Sequence, residues 1–397
     1  MSTTSDRHRK AAVALTGFCA FLGLYSPQPL LPLLKDAFQL PMTTIGLILT
    51  VSTAAIAITA PFVGTFAGRF GRNRTIVFAS ILIALPTALA GVATTFPEVL
   101  FWRILQGVLT PAISATTVAY ISDEWEGGTS VAMSYYVAGT VMGGFFGRVV
   151  CALVGEWFTW RGGFFALGLL NLVGGIAIRQ WLPKDRHRPA HKQSPEGFAI
   201  FLGHLTNARL LTTCAVGFCG LFMLLAVFTY VNFYLAAPPF EWGTRALGFL
   251  FTVYLAGAAF TVSSGRMTER YGHRKALIAA LAACLIGILL TLIPSAAFVI
   301  FGLTLFCSGA FVAQATANGH IGIAATHGRG TAVGMYVTSY YLGGSFAATI
   351  PGYLWKWGGW TTCVLLVSVV ILTAILLAGI FWRGPRSAEP LMPDTVP

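Results

Sequence analysis

The chain has 397 residues, 56% of them hydrophobic and only 10% charged, against roughly 25% charged in an average soluble protein. That leaves too little polar surface to cover a water-soluble globule of this size, so the membrane is the solvent for most side chains. The net charge of +12 does not indicate nucleic acid, because the basic residues sit in short connectors between apolar runs and form no stripe interleaved with aromatics.

Apolar runs long enough to cross a hydrocarbon core of ~30 Å predict twelve spans: 11–34, 43–67, 75–94, 98–122, 129–153, 162–182, 210–236, 244–267, 275–293, 296–323, 330–353 and 359–382. Arg7, His8, Arg9 and Lys10 before span 1 resemble the start of a signal peptide. The run that follows is too long for one and ends in Tyr25-Ser-Pro-Gln-Pro with no small-x-small cleavage site, so it reads as a retained span. Pro27, Pro29 and Pro32 should break it and free backbone carbonyls toward a cavity beside Gln28.

With the N-terminus inside, nineteen basic residues fall in inner segments and four, Lys35, Arg161, Arg245 and Lys356, in outer ones. That bias predicts both termini in the cytoplasm of a bacterial cell, the protein being multi-pass in its inner membrane. The long connector after span 6 divides the chain into an N-terminal bundle (1–182), a cytoplasmic linker (183–209) with an amphipathic stretch from Gly197 to His204, a C-terminal bundle (210–382) and a tail (383–397). All seven cysteines lie within apolar runs without CxxC spacing, so we expect no disulfide, no metal and no cofactor.

The halves repeat. Gly64 to Arg74 returns 201 positions later as Gly265 to Lys275, and Gly128-Thr-Ser-Val-Ala-Met133 recurs at Gly330 to Met335. Gly143-Gly144 recurs at Gly343-Gly344, and Trp157 and Trp160 at Trp357 and Trp360. An even number of spans per half makes the halves parallel, the arrangement of a transporter that rocks around a site between them.

The basic, glycine-flanked loop after span 2 and its copy after span 8 resemble the signature loop of the major facilitator superfamily. Arg103-Ile-Leu-Gln-Gly107 resembles a second motif found in its drug and proton antiporters. Tyr25 to Leu34, the Gly-Gly-x-x-Gly-Arg ending at Arg148, and Tyr230-Val-Asn-Phe-Tyr234 are similar to the acriflavin-sensitivity (YnfM-type) branch. The resemblance implies an all-α membrane protein of twelve transmembrane helices in two six-helix bundles. Two departures stand out: Gly68 occupies the acidic position of the first loop, although its copy keeps Glu269, and span 5 has Gly143-Gly144 where the antiporter motif has Gly-Pro.

Arg103 and Arg148 lie inside spans, where a charge costs about 3 kcal/mol or more unless it faces a cavity or a partner. No acid lies deep in any span; Asp36, Glu98 and Glu156 at the outer edge are the available partners, with an Arg103–Asp36 pair the structural alternative to a coupling role for Arg103, Arg148 and Asp36. His320 is a further proton candidate, whereas His204 reads as structural. Tyr25, Gln28, Gln106, Thr110, Ser114, Tyr230, Asn232, Gln314 and Asn318 are candidate substrate groups, each with an interhelical hydrogen bond as the alternative role. Gly64, Arg69, Gly71, Arg72 and Asp123, with Gly265, Glu269, Arg270 and Gly272 in the copy, are candidate gating residues: the glycines for close helix approach, the arginines to pair with Asp123 or Glu124. Gly139, Gly143 and Gly147 form a smooth face on span 5 for close packing.

The absence of deep carboxylates favours neutral or anionic, partly aromatic solutes over cations. The leading expectation is proton-coupled efflux of small organic or drug-like solutes by a monomer; the alternative is an importer or uniporter of an organic acid. A membrane sensor or enzyme is remote, because the chain has no His-Glu-x-x-His, no Gly-x-Ser-x-Gly and no phosphate-binding glycine loop.

Overall fold

A computed structural model describes residues 3–125, 129–183, 197–325 and 327–382. The expectations for Gly128, for the charged connector 184–196 and for the tail 383–397 fall outside these residues, as does the side chain of Glu124.

Among the described residues, nine helices are long and apolar enough to cross a membrane. One of them, Val131–Trp181, has 51 residues, roughly 75 Å of helix at 1.5 Å per residue, far more than one crossing. Its φ/ψ angles leave the helical region at Phe158 and Thr159, which separates spans 5 and 6. Helices Thr3–Leu22 and Arg329–Ala347 occupy the places of spans 1 and 11, so nine strongly apolar helices are compatible with twelve crossings. Span 12 is the part of Ile350–Phe381 beyond a second break at Gly358 and Gly359.

Local chemistry sets the helix ends. Span 4 (Phe96–Glu124) opens on a capping box between Thr95 and Glu98. Span 7 (Ala208–Ala236) opens on Asn207, whose side chain accepts the backbone N–H of Arg209 and Leu210, each at 3.1 Å; such caps contribute about 1 kcal/mol. Span 1 ends at Leu22, and the chain resumes as a 3₁₀ turn at Gln28–Leu30 and a short helix Leu31–Phe38, the break expected from its prolines.

The repeated loop owes its glycines to backbone conformation. Gly71 (φ 90°, ψ 141°) and Gly272 (φ 80°, ψ 156°) adopt the same turn 201 residues apart, in a region that L side chains rarely occupy. The close approach expected at Gly64 is absent, since a Cβ there would have nothing within 4 Å. It faces a small cleft shared with Ala67, Gly68, Ala115 and Thr116.

Span 5 does pack closely, and on span 1. A Cβ at Gly139, Gly143 or Gly147 would strike the carbonyl oxygen of Ala14, Phe18 or Leu22 respectively. The C-terminal half copies this contact at the same offset, with Gly343 against the Phe218 carbonyl. Gly143→Val is therefore expected to lower stability by about 1–3 kcal/mol, while Gly64→Ala should stay within about 0.5 kcal/mol of wild type. Unfolding midpoints of the purified variants in detergent check both.

The two halves meet along spans 1, 2, 5, 7, 8 and 11. Thr50 Oγ1 donates to the Ser345 carbonyl at 2.8 Å and lies 2.7 Å from Thr349 Oγ1; Thr53 Oγ1 lies 3.1 Å from Ser345 Oγ. A Cβ at Gly46 would press on the Ala348 carbonyl, and one at Gly248 on Ala152. These contacts lie in the half of the seam away from the chain termini. Toward the termini, a cleft lined by Thr129, Met133, Val137, Met142, Ala258 and Ala259 separates spans 5 and 8. Between spans 5 and 8 the seam is therefore closed at one end and open at the other.

Candidate functional site

At the closed part of the seam, Arg148 is 2% exposed. Its Nε donates to Gln28 Oε1 at 2.8 Å and its Nη1 to the Gly144 carbonyl at 2.8 Å. Nη2 has no protein acceptor among the described residues. The guanidinium carbon lies 4.5 Å from the ring centre of Phe251, 4.7 Å from Tyr254 and 5.3 Å from Tyr25. Three spans therefore supply the box: span 1 (Tyr25, Gln28), span 5 (Arg148) and span 8 (Phe251, Tyr254). Gln28 Nε2 also donates to Thr229 Oγ1 of span 7 at 3.4 Å, so the group bridges both halves.

The proline break explains why Gln28 can reach Arg148: the 3₁₀ turn sets its amide beside span 5, with Oε1 on Arg148 and Nε2 reaching across the seam to Thr229. Tyr340 and Tyr341, with ring centres 5.5 Å apart and perpendicular, lie within electrostatic reach of Tyr25 and extend the aromatic wall onto span 11. Desolvated cation–π contacts are worth ~2 kcal/mol or more, which offsets part of the cost of the buried cation, but no carboxylate among the described residues neutralises it. At the two-hundred-residue offset that relates Gly143 to Gly343, the C-terminal half carries Ala348, so the charge belongs to one half alone.

Arg103 is wholly buried and does not pair with Asp36. Nε donates to the Ile48 carbonyl at 3.1 Å; Nη1 donates to the Gly23 carbonyl at 2.8 Å and to Gln106 Oε1; Nη2 donates to the Leu24 carbonyl. The physical reason is the break in span 1: Gly23 and Leu24 keep carbonyls that no helix turn satisfies, and a five-donor guanidinium inside the bundle satisfies them. Asp36 lies exposed on the short helix beyond the break. The expected partnership of the arginines with edge acids is thus corrected: Glu98 is spent on Thr94 and Thr95, and Glu156 is exposed.

Of the predicted substrate groups, the structure brings Tyr25 and Gln28 to Arg148. Gln106 is held inside the N-terminal bundle, accepting from Arg103 and donating to Thr87 Oγ1 at 2.8 Å. Thr110 donates to the Gln106 carbonyl, Tyr230 to the Ala348 carbonyl at 2.9 Å, and Asn232 to the Phe228 carbonyl, leaving Asn232 Oδ1 buried and unpaired. Gln314 is half-buried and Asn318 exposed on span 10; the Ser114 carbonyl accepts from Tyr136. His320 is stacked on Trp382, ring centres 3.7 Å apart, with Nδ1 2.9 Å from Thr213 Oγ1; His204 Nε2 lies 3.3 Å from the Gly328 carbonyl. Phe251, Tyr254, Tyr340 and Tyr341 escaped sequence reasoning; the one available signal was a lone arginine beside aromatic-rich spans.

At the end of the bundle carrying the termini, Arg72 pairs with Asp123 and donates to the Ala119 carbonyl at 2.9 Å. This clamp joins the loop after span 2 to span 4 within one half. Arg69, Glu269 and Arg270 are exposed, Arg270 lying over Tyr271; Gly265 is in the helix preceding the turn at Gly272. Asp123 is itself about half exposed, so Asp123→Asn is expected to cost no more than about 1 kcal/mol in an unfolding assay.

The profile of the Major Facilitator Superfamily matches residues 13–243 and again 232–394. The chain belongs to that superfamily. This superfamily member is 30% identical over 368 residues to the inner membrane transport protein YnfM of Escherichia coli (strain K12), covering 92% of this chain and 88% of YnfM. It is 26% identical over 245 residues to the 3-(3-hydroxy-phenyl)propionate transporter of the same strain, covering 60% of this chain and 59% of that protein. Among solved structures, the nucleoside transporter NupG superposes with a TM-score of 0.78 at 14% identity, covering 94% of this chain and all of NupG; at that identity the match speaks for the fold alone. The protein is a multi-pass membrane transporter of this superfamily.

Proposed function

We propose that this transporter carries small organic anions bearing an aromatic or similarly flat group, by alternating access, with Arg148 as the anion anchor. The observation that carries the proposal is the uncompensated guanidinium: a desolvated cation at the seam between the halves, with Nη2 lacking an acceptor among the described residues and three aromatic ring centres within 5.3 Å. A carboxylate on Nη2 would gain a charge-assisted bond where water competes poorly, and a flat apolar group would lie among Tyr25, Tyr254 and Tyr340. The relative named for 3-(3-hydroxy-phenyl)propionate, an aromatic carboxylate, supports the same class.

With the termini in the cytoplasm, as the basic-residue bias implies, the cleft between spans 5 and 8 is open inward and the Thr50–Ser345–Thr349 contacts close the outside. In an interior-negative cell, outward movement of an anion is favoured by ~2.3 kcal/mol per charge per 100 mV, so we propose export driven by the membrane potential. Exchange against protons is the drive the resemblance implies; Asp36 is exposed, Glu98 bonds Thr94 and Thr95, and His320 stacks on Trp382, so none of the three touches Arg148.

Counterflow of labelled 3-phenylpropionate into proteoliposomes tests the substrate class. Saturable exchange that the matching primary amide does not inhibit supports it; equal inhibition by the amide refutes it. A valinomycin-set potential should change the rate more than nigericin does, and the reverse result would favour proton exchange. Thr50→Val with Ser345→Ala removes seam bonds worth about 1 kcal/mol together and should shift the two-state population roughly fivefold toward outer opening, read as the distance between spin labels at exposed Ala37 and Arg245 in the two halves.

A further inference from the structure

A second basic site lies outside the seam, on the flank of the N-terminal bundle. Between the start of span 3 and the end of span 6 is a cleft of about 630 Å³ whose rim carries Arg74 and Arg179 and whose wall is formed by Val77, Phe78 and Ile81. Its sides are fixed to each other, because Asn73 Nδ2 donates to the Leu182 carbonyl at 3.1 Å and to the Pro183 carbonyl at 2.8 Å. Both arginines are exposed, and neither has a hydrogen bond or ion pair among the described residues, in contrast to neighbouring Arg72, which is committed to Asp123. Among the described residues, no acidic side chain lines the cleft.

Spans 3 and 6 contribute none of the hydrogen bonds between halves described above, so this cleft lies off the seam, on the outer flank of the bundle. Its polarity is graded along the membrane normal. Two guanidinium groups sit at the level of the helix ends, and Val77, Phe78 and Ile81 continue one turn deeper on span 3, with Phe78 67% exposed. A free anion would use the rim and leave the wall wet, and a neutral lipid would use the wall and leave two cations uncompensated; one amphiphile satisfies both. We propose that this cleft is a binding site for an anionic phospholipid, its phosphate between Arg74 and Arg179 and an acyl chain along Val77, Phe78 and Ile81.

Native mass spectrometry of the full-length protein in detergent, titrated with dioleoylphosphatidylglycerol or dioleoylphosphatidylcholine, tests this. Wild type is expected to retain phosphatidylglycerol at about tenfold lower lipid concentration than phosphatidylcholine. Arg74→Ser with Arg179→Ser should abolish that preference, and the corresponding double lysine variant should keep most of it. Should the double serine variant fail to fold, either single serine variant should lose about threefold. Arg270→Ser, an exposed charge in the other half, should leave the preference intact. An undiminished preference in the serine variants, equal loss in Arg270→Ser, or complete displacement of the lipid by excess inorganic phosphate would each overturn the proposal.

Discussion

Arg103→Ala is expected to be the most destabilising single substitution in the N-terminal bundle, lowering unfolding free energy by roughly 3–5 kcal/mol. The size follows from what the side chain satisfies: three backbone carbonyls, of Gly23, Leu24 and Ile48, and the Gln106 amide, all in a region without bulk water. Removing the guanidinium takes the donor from the Leu24 carbonyl and Gln106 Oε1, leaves the Gly23 and Ile48 carbonyls only weaker hydroxyl partners in Ser26 and Ser52, and leaves the broken end of span 1 without its tie to span 4. Arg103→Lys should recover only part of the loss, since an ammonium cannot reach carbonyls on two separate spans with the geometry of a planar fork. Heat- or detergent-induced unfolding of the purified variants measures this, and a loss below about 1 kcal/mol in the alanine variant would show that span 1 is held by other contacts.

Arg148→Gln should behave in the opposite way, with little effect on folding and a large one on transport. Burying an uncompensated cation is unfavourable, so a neutral side chain of similar reach that can still bond Gln28 should be tolerated or mildly stabilising. Loss of a charge-assisted bond to the substrate is worth about 1.5–3 kcal/mol, which corresponds to roughly ten- to a hundredfold weaker apparent affinity for an organic anion. Arg148→Lys keeps the charge but not the planar stacking on Phe251 and Tyr254, and should fall between. Concentration dependence of counterflow separates the three proteins; equal apparent affinity in Arg148→Gln would remove the anchor.

The fold was legible in the sequence wherever a residue type constrains the backbone directly. Pro27, Pro29 and Pro32 announced the break in span 1, and the paired Gly71 and Gly272 announced a repeated loop, although the reason for those glycines is positive φ and not the helix contact first read into them. The smooth face of Gly139, Gly143 and Gly147 was read with its physical role, because spacing by four places all three on one side of a helix. Partners were far less legible. Arg103 looked like half of an ion pair because the carbonyls freed by the prolines were expected to face a cavity beside Gln28, and only the fold turns those of Gly23 and Leu24 onto span 4. Gln106 and Tyr230 looked like cavity groups, but a polar residue at a given depth can turn toward the neighbouring helix or toward the seam, and periodicity does not fix that rotation. Phe251 and Tyr254 reach Arg148 from a span about a hundred residues away in sequence, and only the folded arrangement of spans 1, 5 and 8 brings them together.

The most direct test of an anion site at the seam is charge movement itself, recorded from proteoliposomes of the full-length protein on a solid-supported membrane after a concentration jump of 3-phenylpropionate. We predict a saturable current with the sign of negative charge following the substrate, absent when the amide replaces the acid and greatly reduced in Arg148→Gln. A current of the same size from the amide or from a phenylalkylamine, or an unchanged current in Arg148→Gln, would contradict the proposed role of Arg148.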